Sequence, residues 1–224
     1  MRYEFRVCEN EACQFRFPAE QENARRLICP LCGAKTAVIP IPPLNQNQPE
    51  ARQPQAEQRL PLILLLDNIR SLHNVGAIFR TADGVGIGQL LLCGITATPE
   101  NPRLARTALG AEQTVGWTYE RNAVQTAVRL KQQGHPIWAL EEGKTATSTG
   151  SVQAVSLLNT PIPKPTQKAA VLILGNENAG VDPGLIPLCD QMFSLPMVGQ
   201  KRSLNVSVAC GTAAYHLRHL WVSE

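Results

Sequence analysis

Three short polar stretches interrupt apolar surroundings, and their side chains are the ones that could do chemistry. In "LDNIRSLHNVGAIFRTADGVGI" (66–87), Asn74 and Arg80 lie six positions apart on a helical pattern. That is about 1.7 turns, so they do not share one line of the surface. Helical side chains lean toward the N-terminus, so both can reach toward the mouth of that helix. In "LILGNENAGV" (172–181), Glu177 sits in a polar loop bracketed by glycines, just past an apolar strand. Loops at the carboxyl ends of parallel strands are where α/β sheets bind ligands. In "FSLPMVGQKRSLNVSVACGTAAYHLRHLW" (193–221), Ser203 and Asn205 flank Leu204 at the start of a closing helix, where either could cap it. Gly199 in the preceding loop lets backbone groups face a ligand. The ordinary alternatives are a surface arginine whose stem covers apolar neighbours and a plain strand-to-helix turn.

A second constellation is made of thiols. Cys8-x4-Cys13 and Cys29-x2-Cys32 are two pairs about fifteen residues apart. Four converging thiolates suit a structural Zn²⁺, and the glycine after "CPLC" permits the tight turn a metal knuckle needs. A core of under about forty residues is hard to stabilise without such a staple. The alternative is an extension with free thiols. Cys93, Cys189 and Cys210 stand among apolar neighbours and read as small buried hydrophobes. An odd number of cysteines with no secretion signal argues against a disulfide framework.

Two glycine motifs fail as nucleotide sites. "GVGIG" (84–88) closes a helix and precedes a strand, the reverse of a dinucleotide loop, so its work is helix termination. "GNENAG" (175–180) follows a strand but lacks the Gly-Lys-Ser/Thr ending of a phosphate loop.

The elements that must position these residues follow from hydrophobic periodicity. Residues 1–38 form a first, zinc-ribbon-like unit, and the Pro- and Gln-rich stretch 39–59 reads as a linker. Residues 60–224 form the larger domain. Strands are predicted over 62–67, 89–94, 136–141, 169–175 and 191–196. Helices are predicted over 74–86, 101–109, 123–134 and 205–221. Val75, Ile78, Phe79, Ala82 and Val85 make one helix stripe, and Ala209, Ala213, Leu217 and Leu220 another. This alternation means an α/β layer fold with a largely parallel sheet. With 44% hydrophobic residues and 17% charged, the 224-residue chain can bury a sizeable core. Its net charge of +3 is compatible with nucleic acid without demanding it. No apolar run approaches a membrane span, so a soluble, cytoplasmic protein is expected.

In their order and wording, the three stretches resemble the three motifs of the SpoU (TrmH) family of RNA ribose 2′-O-methyltransferases, of the SPOUT class. "TALGAE" (107–112) also looks like that family's segment between its first two motifs. The resemblance runs from about Leu62 to Leu220. It implies a mostly parallel α/β sheet with flanking helices and a deep trefoil knot at its carboxyl end. It implies S-adenosylmethionine held by backbone at Gly175, Leu195 and Leu204, and a homodimer formed through the knot region. The matching polar positions are Asn74, Arg80, Glu177, Ser203 and Asn205, all retained. Their retention favours an active methyltransferase acting on tRNA or rRNA over a non-catalytic RNA-binding module on the same fold. The family's usual account makes Arg80 the base. A guanidinium is almost never neutral, so electrostatic stabilisation of the developing alkoxide is the physically favoured role. Asn74 would orient Arg80 or the ribose. Glu177 would hold backbone donors, pair with a cation or scaffold the loop. Ser203 and Asn205 would fix the loop and the acceptor site, and Arg70, Lys201 and Arg202 could meet RNA phosphates.

Overall fold

The computed structural model describes residues 3–40, 59–142, 144–147 and 150–222. They fall in two compact units, one up to Gln53 and the other from Pro54. Most of the proline- and glutamine-rich linker lies outside the described residues.

The smaller unit is a three-stranded antiparallel sheet of β1 (Tyr3–Cys8), β2 (Arg16–Glu20) and β3 (Thr36–Val38), with β1 central. A 3-10 turn at Ala24–Leu27, capped by the Asn23 side chain, leads into the second cysteine pair.

The larger unit alternates strands and helices. In chain order these are β4 (Leu60–Asp67), α1 (Leu72–Val85), β5 (Ile87–Cys93), α2 (Pro102–Ala108), α3 (Ala111–Thr114), β6 (Gly116–Glu120), α4 (Ala123–Gln132) and β7 (Ile137–Leu140). Then follow β8 (Lys144–Thr147), β9 (Gly150–Gln153), β10 (Val155–Ser156), β11 (Ala170–Leu174), β12 (Gln191–Ser194) and α5 (Val206–Trp221). Seven strands form one sheet in the order β10-β12-β7-β11-β4-β5-β6, every described pairing parallel. β8 and β9 form a separate antiparallel pair.

The sheet's interior strands are apolar on both sides because both sides are covered. Leu64 and Leu66 of β4 and Leu172 and Leu174 of β11 join the cluster under α1 and α5. Leu65, Val171 and Ile173 join the opposite cluster, with Ala127 and Leu130 of α4. The stripe Val75, Ile78, Phe79, Ala82 and Val85 is fully buried. Ser71 caps α1 at its start, and the N–H of Gly86 returns to Ala82 and Asp83 at its end, so "GVGIG" does terminate a helix. The closing helix differs from the sequence reading. Its buried stripe is Cys210, Ala213, Ala214, Leu217 and Trp221, while Leu220 is exposed. Trp221 sets that rotation, because its indole N–H donates to the Ile162 carbonyl at 2.9 Å beneath the sheet. The helix expected over 101–109 is α2, and a further short helix, α3, not expected from the sequence, follows after Leu109 and Gly110, both in the left-handed region.

Candidate functional site

The strands run in one direction, so their carboxyl ends collect loops on one edge of the sheet. Two adjoining cavities open there. The larger, about 780 Å³, is walled by the ends of β7 and β11, the loop Gly175–Val181, Leu195, Met197 and the segment Arg202–Val206. The smaller, about 440 Å³, is formed by Arg70, Ser71, Asn74, Glu177, Asn178 and Asn205. Glu177, Asn178 and Asn205 belong to both walls. A volume in this range suits a ligand of nucleoside size.

Glu177 is the junction. Its Oε2 accepts the backbone N–H of Arg70 at 2.9 Å. Its Oε1 accepts the N–H of Ser71 at 3.0 Å and the side-chain amide of Asn74 at 2.8 Å. The carboxylate therefore sits where α1 begins, favoured by the unpaired N–H groups and by the helix dipole. Burial would raise the pKa of Glu177, but these donors outweigh it and hold the carboxyl below its ordinary value. Of the readings open to it in the sequence, holding backbone donors is the one its contacts describe.

From Glu177 the chain of bonds continues into the third stretch. Asn205 Nδ2 donates to Asn74 Oδ1 at 3.0 Å. Asn205 Oδ1 accepts the N–H of Ser207 at 2.9 Å and its hydroxyl at 2.6 Å. One carboxamide thus caps α5 and reaches α1, which is why a polar residue must follow Leu204. Arg70 and Asn74 of the first stretch, Glu177 of the second and Asn205 of the third are brought together by bonds rather than by packing alone.

The loop after β11 is closed at its neck. Asn176 and Gly180 exchange backbone hydrogen bonds of 2.9 Å, and Asn176 Oδ1 accepts the N–H groups of Asn178 and Ala179. A Cβ on Gly175 would lie 2.4 Å from Gly180 C and Val181 N, so only glycine lets the strand pass this closely. Backbone can then line the cavity without side chains intruding.

Six of the eight residues singled out for catalysis or cofactor binding therefore line the larger cavity: Gly175, Glu177, Leu195, Ser203, Leu204 and Asn205. Asn74 lines the smaller one. Arg80 lines neither; it is exposed on α1 and has no hydrogen-bond or ion-pair partner among the described residues. Its six-residue separation from Asn74 places it roughly 9 Å farther along the helix axis. Two residues that the sequence reading passed over also hold the site. Asn176 Nδ2 donates to the Asn68 carbonyl at 2.7 Å, linking the second stretch to the first. Glu141, immediately after β7, accepts the N–H of Val181 at 2.7 Å. The signal for Glu141 was its place at the carboxyl end of a parallel strand.

In the smaller unit, the Sγ atoms of Cys8, Cys13, Cys29 and Cys32 all lie within 4.8 Å of one another. Cys8 and Cys32 are 3.4 Å apart and Cys13 and Cys29 are 3.8 Å apart. A tetrahedral ion with metal–sulfur bonds of about 2.3 Å needs sulfur separations of about 3.8 Å. The Leu31 N–H also donates to Cys29 Sγ at 3.4 Å, as a knuckle's backbone does to a thiolate. The donor set fits a four-thiolate metal.

Comparison with known proteins bears on the larger unit. Residues 61–215 match the SpoU rRNA Methylase family. The chain is 29% identical over 183 residues to the 23S rRNA (guanosine-2′-O-)-methyltransferase RlmB of Vibrio cholerae, covering 82% of this chain and 68% of that protein. Among solved structures, the A. aeolicus TrmH/SpoU tRNA modifying enzyme superposes with a TM-score of 0.60 at 29% identity, over 73% of this chain and 77% of the other. The SpoU methyltransferase AviRb from Streptomyces viridochromogenes, in complex with AdoMet, shares the fold with a TM-score of 0.59 at 24% identity, over 84% of this chain and 66% of that one.

Proposed function

The chain belongs to the SpoU rRNA methylase family, and from that premise we propose that it transfers a methyl group from S-adenosylmethionine to a ribose 2′-hydroxyl of RNA. The observation that carries this reading is the run of hydrogen bonds Glu177–Asn74–Asn205 at the shared wall of the two cavities. It joins all three motif stretches at one place, with a nucleoside-sized cleft on one side and an opening for an acceptor on the other.

In this reading Gly175, Leu195 and Leu204 hold S-adenosylmethionine through backbone in the larger cavity, and the bound cofactor supplies an electrophilic methyl on sulfur. Asn74 and Asn205 orient the acceptor ribose at the adjoining cavity, and Ser203, on the wall of the larger one, fixes the loop beside it, so that O2′ would face the transferable methyl. Such alignment is worth up to about 7–11 kcal/mol of the barrier. As the new C–O bond forms, the 2′-hydroxyl loses its proton to a phosphate of the RNA or to solvent. Arg80 stabilises the developing negative charge and the neighbouring phosphate rather than serving as the base. Glu177 acts through α1 and Asn74, as a positioning residue. Because Arg80 stands apart from the cavities of its own chain, we place the active form as a homodimer joined through α1 and α5, with a trefoil knot formed by the last two motif regions. The four N-terminal cysteines hold a structural zinc ion in a ribbon-like unit, tethered by the proline- and glutamine-rich linker, that contributes to RNA selection. Among the described residues no helix is long and apolar enough to cross a membrane, and we place the enzyme in the cytoplasm.

The activities of the relatives point to rRNA and tRNA as the pools to test. The purified chain with labelled S-adenosylmethionine should methylate one of these pools, and mapping should find the methyl on a ribose 2′-oxygen. Binding of the cofactor without transfer to either pool would favour a non-catalytic RNA-binding module.

A further inference from the structure

Glu141 has no assigned part in the chemistry above, yet its contacts reach both arms of the larger cavity. It follows β7, and its backbone N–H donates to the Phe193 carbonyl of β12 at 2.9 Å. Phe193 lies two positions before Leu195, on the arm that leads to the third motif. Its carboxylate turns to the other arm. Oε2 accepts the N–H of Val181 at 2.7 Å, and Oε1 accepts the N–H of Glu142 at 3.0 Å. Val181 is 5% exposed, so its N–H has little access to water if the carboxylate is removed. Gly180 is shaped to this contact: its φ is +75°, and a Cβ there would lie 2.6 Å from Glu141 Oε2.

We infer that Glu141 is a positioning residue for the cofactor, a brace that sets the spacing between the loop after β11 and the loop after β12. The inference rests on the methyltransferase reading and extends it. The two arms meet the cofactor through backbone, and backbone atoms cannot adjust their reach as side chains do. Their affinity for S-adenosylmethionine then depends on a residue that ties one arm by its main chain and the other by its carboxylate. Each carboxylate oxygen also keeps a second acceptor position. Glu141 lines the cavity, so a hydroxyl or ammonium group of the cofactor can occupy one of these positions.

The test uses the full chain and calorimetric titration with S-adenosylmethionine and with S-adenosylhomocysteine, alongside kinetics. E141A is expected to weaken both titrations by about tenfold or more, the scale of one lost charge-assisted hydrogen bond. The KM for RNA should stay within about twofold, and kcat at saturating cofactor within about threefold, since no group at the acceptor is touched. E141Q keeps one acceptor for Val181 and should recover most of the affinity, which separates positioning from a general loss of fold. Unchanged titrations in E141A overturn the inference, as does a fall in kcat or a rise in RNA KM with cofactor affinity intact. E141Q as weak as E141A, with both chains folded, also overturns it. A wild-type chain that takes up neither ligand overturns the methyltransferase reading itself, and the inference with it.

Discussion

At the residue scale the site is organised around one carboxylate with three donors. Glu177 accepts from Arg70 N, Ser71 N and Asn74 Nδ2. A carboxamide cannot satisfy all three, because one of its two heads is itself a donor. Even with its oxygen turned to Ser71 and Asn74, Glu177→Gln sets its amide head against the Arg70 N–H, so it should displace the start of α1 and the Asn74 it carries, lowering methyl transfer by about 10- to 100-fold, the cost of a small misplacement at the acceptor. The stability cost should be only about 1 kcal/mol, since Glu177 is partly open to solvent. The sign with pH follows from a carboxyl held below its ordinary value of 4.5. The stabilisation is complete above the unfolded pKa and is lost as pH falls through the folded one. Denaturant titrations should show a wild-type advantage over Glu177→Gln that is flat above about pH 5 and shrinks on further acidification. Asn205→Ala should cost about 1 kcal/mol as a lost helix cap and should also release Asn74. Asn74, Glu177 and Asn205 stood out in the sequence through the match of the three stretches taken together to the family's motifs, each stretch alone being a weak signal. Glu141 could be placed at the carboxyl end of a strand, but its contact could not be read, because its partner Val181 is forty positions away and only the folded loop supplies it. Nor could the exposed place of Arg80 be read from helix spacing, which gives an angle on the helix and no neighbour.

At the scale of elements, what could be read depended on how strongly burial dictates the pattern. β4 and β11 are sealed on both sides, so "LILLLD" and "AVLIL" announce themselves. β6 is an edge strand with a mostly open face, and β10 has only two residues, so neither carries a run long enough to recognise. α5 carries apolar residues beyond its buried stripe, so periodicity put Leu220 on that stripe, where the structure has Trp221, its indole tied to the Ile162 carbonyl. Close approaches between elements are equally invisible in one sequence. α1 and α2 touch at Gly76, where a Cβ would lie 2.1 Å from Thr107 Oγ1 and 2.9 Å from the Ala108 N. The backbone atom cannot swing away, so Gly76→Ala should push the helices apart at a cost of about 2–3 kcal/mol. In a unit of this size that lowers Tm by roughly 5–10 °C, which calorimetry would register. Gly175→Ala meets backbone at 2.4 Å in the neck of the loop after β11 instead. That substitution should weaken S-adenosylmethionine binding by about tenfold or more in calorimetric titration, since the loop must open to admit the methyl group.

At the scale of the molecule, the two units are stabilised by different physics. The larger has two extensive apolar clusters on either side of its sheet. The smaller has a three-stranded sheet with Tyr3, Phe5, Leu31 and Val38 exposed, and its buried residues are few. A unit this small buries too little surface to offset its chain entropy unaided. The four thiols within 4.8 Å of one another are the compensation available to it. A metal bound there contributes its binding energy directly to folding. Replacing Cys29 and Cys32 together by serine in the full chain should cut zinc content from about one ion per chain to near none, because two thiolates do not hold the ion tightly. The unfolding transition of the larger unit should keep its Tm, and S-adenosylmethionine affinity should stay within about twofold, because neither depends on contacts of the cysteine cluster. If the smaller unit helps choose the RNA, the KM for RNA alone should rise, by about tenfold for the loss of two or so phosphate contacts at moderate salt. Metal analysis, calorimetry and RNA kinetics on the same preparation give these readings separately. A loss of cofactor binding together with zinc would mean that the smaller unit supports the cleft itself, whereas a rise in RNA KM alone would make it an independent reader of the substrate.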